Sequence, residues 1–199
     1  MKSSLALCLL ALAAVAPFAV AQQSATQSAV LPALSALRPD IAAAAQSARE
    51  NERRAEDAAA QARTVAAGAA RSRGETVTNG VGAATTQRGD IYTGSFSNGA
   101  FDGYGIYNFV TGARFEGQFK AGAMEGYGIY YWPDGSHFAG GAGSVGQSAP
   151  GVHVLADGRR FEGMWVNDKR NGPGVEWTAD GHVLRAGLWT DNQLTTPAQ

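Results

Sequence analysis

The sequence predicts a mainly β fold: a single elongated antiparallel meander of hairpin repeats, preceded by one long alanine-rich α-helix. Three observations predict it. Residues 92–114 and 115–137 are two copies of one sentence, YTGSFSNGAFDGYGIYNFVTGAR and FEGQFKAGAMEGYGIYYWPDGSH. Inside each copy, aromatic residues and glycines recur at every second position. Glycine, 26 of 199 residues, is concentrated beyond residue 67, whereas residues 40–72 are dominated by alanine. Self-similarity at a short fixed period marks a repeat architecture.

The physics of one unit follows from its spacing. Tyr92, Gly94 and Phe96 share one face of a strand, and Gly105, Tyr107 and Phe109 alternate likewise. A short glycine-containing loop between them, Ser97 to Gly103, makes an antiparallel hairpin. Glycine inside a strand marks close approach of another group, here an aromatic ring over bare backbone. Pro133-Asp134-Gly135 supplies the turn to the next unit.

The positions that define the unit are Tyr92, Gly94, Phe96, Gly103 and Gly105, answered by Phe115, Gly117, Phe119, Gly126 and Gly128. They recur as Phe161, Gly163, Trp165, Gly172 and Gly174. This pattern, with a later Asp-Gly, resembles the MORN (membrane occupation and recognition nexus) repeat, and the resemblance covers residues 76–199. It implies a β-repeat fold and a non-enzymatic role in protein assembly or in attachment to membrane phospholipid.

In chain order, residues 1–21 read as a secretory signal peptide. Lys2 is the positive start, Leu5 to Val15 an apolar run too short to span a bilayer, and Ala19-Val20-Ala21 a small-x-small cleavage site. Cys8 lies inside the apolar run behind Leu7, which argues against a lipoprotein, and it leaves with the peptide. The mature chain then has no disulfide framework and no thiol nucleophile. Export to a periplasmic or extracellular location is the expectation, of the bacterial type. Residues 22–39, polar and with Pro32 and Pro39, read as a flexible linker.

Residues 40–72 read as a helix, with Asp40 as cap and alanine as the best helix former. A heptad places Ile41, Ala48, Ala55, Ala62 and Ala69 at one position and Ala44, Asn51, Ala58 and Val65 at another. Two roles stand open: a solvated spacer, or a weak coiled coil that makes a homo-oligomer. Alanine buries little area, so such a seam is weak per residue.

Residues 73–91 combine a linker with a degenerate half repeat, since Gly80, Gly82 and Gly89 fall in frame. The array proper is expected over residues 92–194, with a frayed tail at 195–199. Residues 138–160 fit the frame poorly: Ala142, Val145 and Ala149 replace an aromatic and two glycines. A loosened loop or shortened strand is expected between Gly140 and Pro150. Residues 161–183 recover the pattern with Asp168 in place of a glycine, and Arg185 to Trp189 supplies a closing strand. The total is nine or ten strands in one sheet with no second sheet over it.

Strand alternation puts Tyr92, Phe96, Tyr107, Phe109, Phe115, Phe119, Tyr130, Trp132, Phe138, Phe161 and Trp165 on one face. Glu116, Gln118, Glu162, Tyr127, Ile129 and Val175 occupy the other. Most rings pack on neighbouring glycines. Tyr131, Trp132 and Trp177 are candidates to stay open for a partner, and Arg159, Arg160, Lys169 and Arg170 for a small basic spot facing lipid.

No nucleophile–base or metal spacing appears, and Gly103-Tyr104-Gly105 precedes a strand, which excludes a dinucleotide loop. The expectation is no enzyme, no cofactor and no metal. The whole chain carries a net charge of −1, and residues 76–199 hold eight basic against eleven acidic side chains, which excludes nucleic acid and weakens attraction to anionic lipid. The partner expected first is a protein, then a membrane surface, then a cell-wall glycan.

Overall fold

The computed structural model describes residues 35–69, 77–142 and 149–198. The signal-peptide reading, most of the 22–39 linker, residues 70–76, most of the Gly140–Pro150 stretch and Gln199 lie outside them.

Helix α1 spans Pro39–Ala69, 31 residues. Proline suits the first helical position because its missing N–H has no partner there anyway. Asp40 adds a carboxylate to the first turn and receives both an Arg38 ion pair and charge-assisted hydrogen bonds from it.

Among the described residues, the remainder forms one antiparallel sheet of eleven strands in sequential order. They are β1 (Gly80–Thr85), β2 (Ile91–Ser97), β3 (Ala100–Asn108), β4 (Arg114–Lys120), β5 (Ala123–Tyr131) and β6 (His137–Ala142). Then follow β7 (Ala149–Val154), β8 (Arg160–Val166), β9 (Lys169–Trp177), β10 (Val183–Thr190) and β11 (Gln193–Pro197). The degenerate half repeat contributes β1, and β11 is a closing strand beyond the nine or ten expected.

The hairpin turns among the described residues are tighter than the sequence suggested. Two residues, not the span Ser97 to Gly103, turn the chain: Asn98-Gly99 with φ of 52° and 77°. Two successive positive φ values match the right-handed twist of the flanking strands. Asn167-Asp168 does the same at 49° and 60°, which shows how Asp168 replaces glycine there. Gly103 is spent differently: it sits at φ 98° beside a register shift, a bulge that bends the second strand of the hairpin.

The third frame keeps both of its strands. β6 and β7 pair over four residues, His137–Gly140 against Val154–Gly151. A ring is missing at Ala142, yet the sheet runs through without a break.

The helix is neither a free spacer nor a seam for another helix. It crosses the strands on one face of the sheet and touches β1 through β10. Ile41 and Ala45 pack on Val175, Trp177 and Ala186 at one end, and Ala55 and Ala59 on Ile129 and Ala139 further along. Of the residues assigned to the coiled-coil seam, Ile41, Ala44, Ala48, Ala55, Ala58, Ala62 and Ala69 are buried, and Asn51 and Val65 are half-buried. Dimensions explain the fit. A 31-residue helix is ~46 Å long, and ten inter-strand gaps at ~4.8 Å make ~48 Å. Alanine is the right residue because it lets the helix axis lie close to the strands.

Ion pairs fix the register of helix on sheet. Glu162, 1% exposed, receives Arg49 at 2.7 Å and Arg160 at 2.7 Å, and Arg160 also reaches Glu52 at 2.9 Å. Glu116, 2% exposed, receives Arg63 at 2.7 Å and Arg114 at 3.1 Å. Arg49 and Arg63 stand ~21 Å apart along the helix. Glu116 and Glu162 occupy the same repeat position four strands apart, ~19 Å. The two spacings match, so both bridges form at once.

Candidate interaction surface

The face away from α1 carries the rings. Tyr92, Phe96, Phe115 and Phe119 form a buried cluster. The Tyr92 ring stacks on Phe101 with centroids 4.0 Å apart and lies against Gly94 and Gly105, and its hydroxyl donates to the Ser95 carbonyl at 2.8 Å. Burial raises the Tyr92 phenol well above its ordinary pKa. These rings are structural.

A second row lies beside them and is only half covered. Tyr107 meets Phe109 at 4.7 Å, Phe109 meets Tyr130 at 5.5 Å, and Tyr130 meets Trp132 at 4.9 Å. Trp132 continues to His153 at 5.2 Å, and His153 to Trp165 at 5.8 Å. Trp132 is 38% exposed; the other members are half-buried. The row crosses the sheet from β3 to β8, through four 23-residue frames. Its outer end is anchored by Asp90, which accepts from the Tyr107 hydroxyl at 2.9 Å and the Val110 N–H at 2.9 Å. Those bonds, the backbone one first, hold its carboxyl below the usual carboxylate range. His153 stands where the first two repeats have Tyr107 and Tyr130, and burial lowers its pKa.

The expected surface residues do not come together. Trp132 lies in the open row. Tyr131, the next residue, points to the helix side, half-buried beside Ala55 and Ala59, with the Arg114 guanidinium 4.7 Å above its ring. Trp177 is fully buried under Ile41 and Ala45, so it cannot meet a partner. Strand alternation put Trp177 on the face that α1 covers, and no local pattern around Trp177 announced that cover.

The small basic spot also dissolves. Arg160 pairs across its hairpin with Trp177, and Lys169 with Val166, so the two basic pairs sit at opposite ends of β8 and β9. Each side chain already has a carboxylate. Arg159 holds Asp157 at 2.7 Å, Arg160 holds Glu52 and Glu162, and Lys169 holds Asp191 at 2.9 Å. Arg170 approaches Glu176 at 3.6 Å and lies over the Phe161 ring at 4.7 Å, taking the place that Phe101 has over Tyr92.

The family model described as MORN repeat matches residues 92–114, 115–137 and 161–183. The chain carries three MORN repeats. Between them, residues 138–160 escape the match, although β6 and β7 show that the frame folds as a further hairpin. No curated protein matches the chain. MORN repeats are modules of protein and membrane interaction, a non-catalytic class. Among the described residues, no group of three or more His, Cys, Asp or Glu could hold a metal ion, and no helix is long and apolar enough to cross a membrane.

Proposed function

We propose that this MORN protein is an exported, non-enzymatic interaction module that works in the periplasm or outside the cell. It presents the half-covered aromatic row, Tyr107 to Trp165, to a protein partner. The observation that carries the reading is the asymmetry of the sheet. One face is closed by α1, while the other leaves a continuous row of rings at the surface, with Trp132 the most open. Aromatic side chains with a polar handle are favoured anchors in protein interfaces because they bury much area at low entropic cost.

Engagement of all four candidate basic side chains by carboxylates favours a protein over a phospholipid surface. Attraction to anionic lipid rests on unpaired Lys and Arg, at ~1 kcal/mol each. Photo-crosslinking in the native cell tests the reading. A crosslinker at Trp132 is expected to capture a discrete protein, and one at Arg53 on the exposed side of α1 is not. Sedimentation with anionic vesicles at low but not high salt, without protein capture at Trp132, would replace the protein partner by lipid.

A further inference from the structure

Among the described residues, a sheet that runs in sequence order has two edges without a neighbouring strand, β1 and β11. Exposed edges present unpaired N–H and C=O groups, and natural sheets blunt them with proline, charge or bulges. The two edges of this sheet differ. β11 ends in Pro197, and a register shift interrupts its pairing with β10. β1 reads GVGAAT, without charge and without proline, and pairs with β2 in unbroken register over six residues.

The direction of the free groups can be worked out. The Thr86 N–H donates to the Asp90 carbonyl at 2.8 Å. In an antiparallel ladder, residues alternate between addressing one neighbour and the other. Ala84, Gly82 and Gly80 therefore address β2, while Val81, Ala83 and Thr85 turn their N–H and C=O outward. All three outward residues are exposed.

We infer that β1 pairs antiparallel with β1 of a second copy of this chain, about a two-fold axis at Ala83. Three outward residues on each strand are self-complementary when Ala83 faces Ala83 and Val81 faces Thr85. That register makes six backbone hydrogen bonds, leaves no outward group of β1 unpaired and brings no like charges together. It also accounts for two exposed apolar side chains, Val81 at 40% and Ile91 at 46%. Val81 lies beside Ser95, and Thr85 beside Ile91. Pairing joins them into one row, Ser95 and Val81 of one copy with Thr85 and Ile91 of the other. The alternative, β1 against β11, meets a proline and a bulge, and head-to-tail contacts of that kind propagate without closing. A single strand pair lies at the small end of interface sizes, so a reversible dimer is expected. Two copies would make one continuous sheet with two aromatic rows.

Sedimentation velocity of the full chain over a concentration series reads this directly. Wild type is expected to shift from monomer toward dimer as concentration rises to about 0.1 mM. Ala83→Lys, which sets two like charges on the axis, is expected to stay monomeric, and Thr196→Lys on β11 to dimerise like wild type. Circular dichroism of each variant checks that it is folded. A second measurement does not depend on the lysine variant folding. In a Cys8→Ser background, Ala83→Cys is expected to oxidise to a covalent dimer, because directly paired residues of this kind are ~5.5 Å apart at Cα, inside disulfide reach. Ala84→Cys, on the opposite face, is expected to remain monomeric. A wild type that stays monomeric throughout, dimers that survive Ala83→Lys, or crosslinking at 84 in preference to 83 would each overturn the inference.

Discussion

Two kinds of residue set the behaviour of the array locally. The first is the strand glycine under a ring. A Cβ on Gly128 would fall 2.7 Å from the Glu116 carbonyl oxygen and closer still to the Phe115 ring. Both neighbours are fixed, one by backbone and one by burial, so neither can yield cheaply. Gly128→Ala is expected to cost about 2 kcal/mol, in the range for overpacking, measured by denaturant unfolding. The second is the half-buried histidine. Burial lowers the pKa of His153 and of His137 below the ordinary histidine value. A lowered folded pKa means the unfolded chain takes the proton more readily. Their contribution is complete above pH ~6.5 and is lost as the pH falls through the folded values. The melting temperature is expected to drop between pH 7 and pH 5. His153→Tyr, which restores the ring found at Tyr107 and Tyr130, is expected to lessen that drop, read as the difference between the two melting profiles.

At the scale of one element, α1 raises the question of what holds a helix whose stripe is mostly alanine. Alanines bring it close but bury little apolar area, so the buried carboxylates Glu116 and Glu162 must keep their arginines. Removing one partner of a buried pair leaves uncompensated charge, which costs more than the pair itself is worth. Glu162→Gln is expected to destabilise by about 3 kcal/mol, discounted slightly from the fully buried case because Arg49 and Arg160 keep some solvent. Adding Arg49→Met to Glu162→Gln is expected to recover part of that loss. Denaturant unfolding of the single and double variants checks both statements. A double variant no better than the single would show that the ion pair does not seat the helix.

Across the whole molecule, the sheet has one finished face and one open face. Removing residues 35–69 would uncover Ile129, Val152, Val175 and Trp177, all now buried. Such a truncated chain is expected to bind a hydrophobic dye and to associate, with Trp emission shifted to the red as Trp177 meets water. An unchanged emission spectrum in a folded truncation would contradict the packing of Ile41 on Trp177. The helix therefore completes the fold, and the open row of rings remains for partners.

How much of this was legible in the sequence depends on range. Period and alternation assigned the hairpins, their order and the face of most rings, though not of Tyr131 and Trp177, because a strand's side chains alternate by covalent geometry and each hairpin contacts only its neighbours. Tyr92 over Gly94 and Gly105 is a contact of that kind. Glu116 and Glu162 were visible as twins in the repeat, and their match to Arg49 and Arg63 was a readable signal that two spacings had to be compared to find. What the sequence by itself determined was the ladder of hairpins and the division of its rings and carboxylates between two faces. Only the tertiary structure decided which face is closed. A helix that ends more than 100 positions before Trp177 covers one side through packing and ion pairs that no local pattern specifies, which buries Trp177 and leaves Trp132 in reach of a partner.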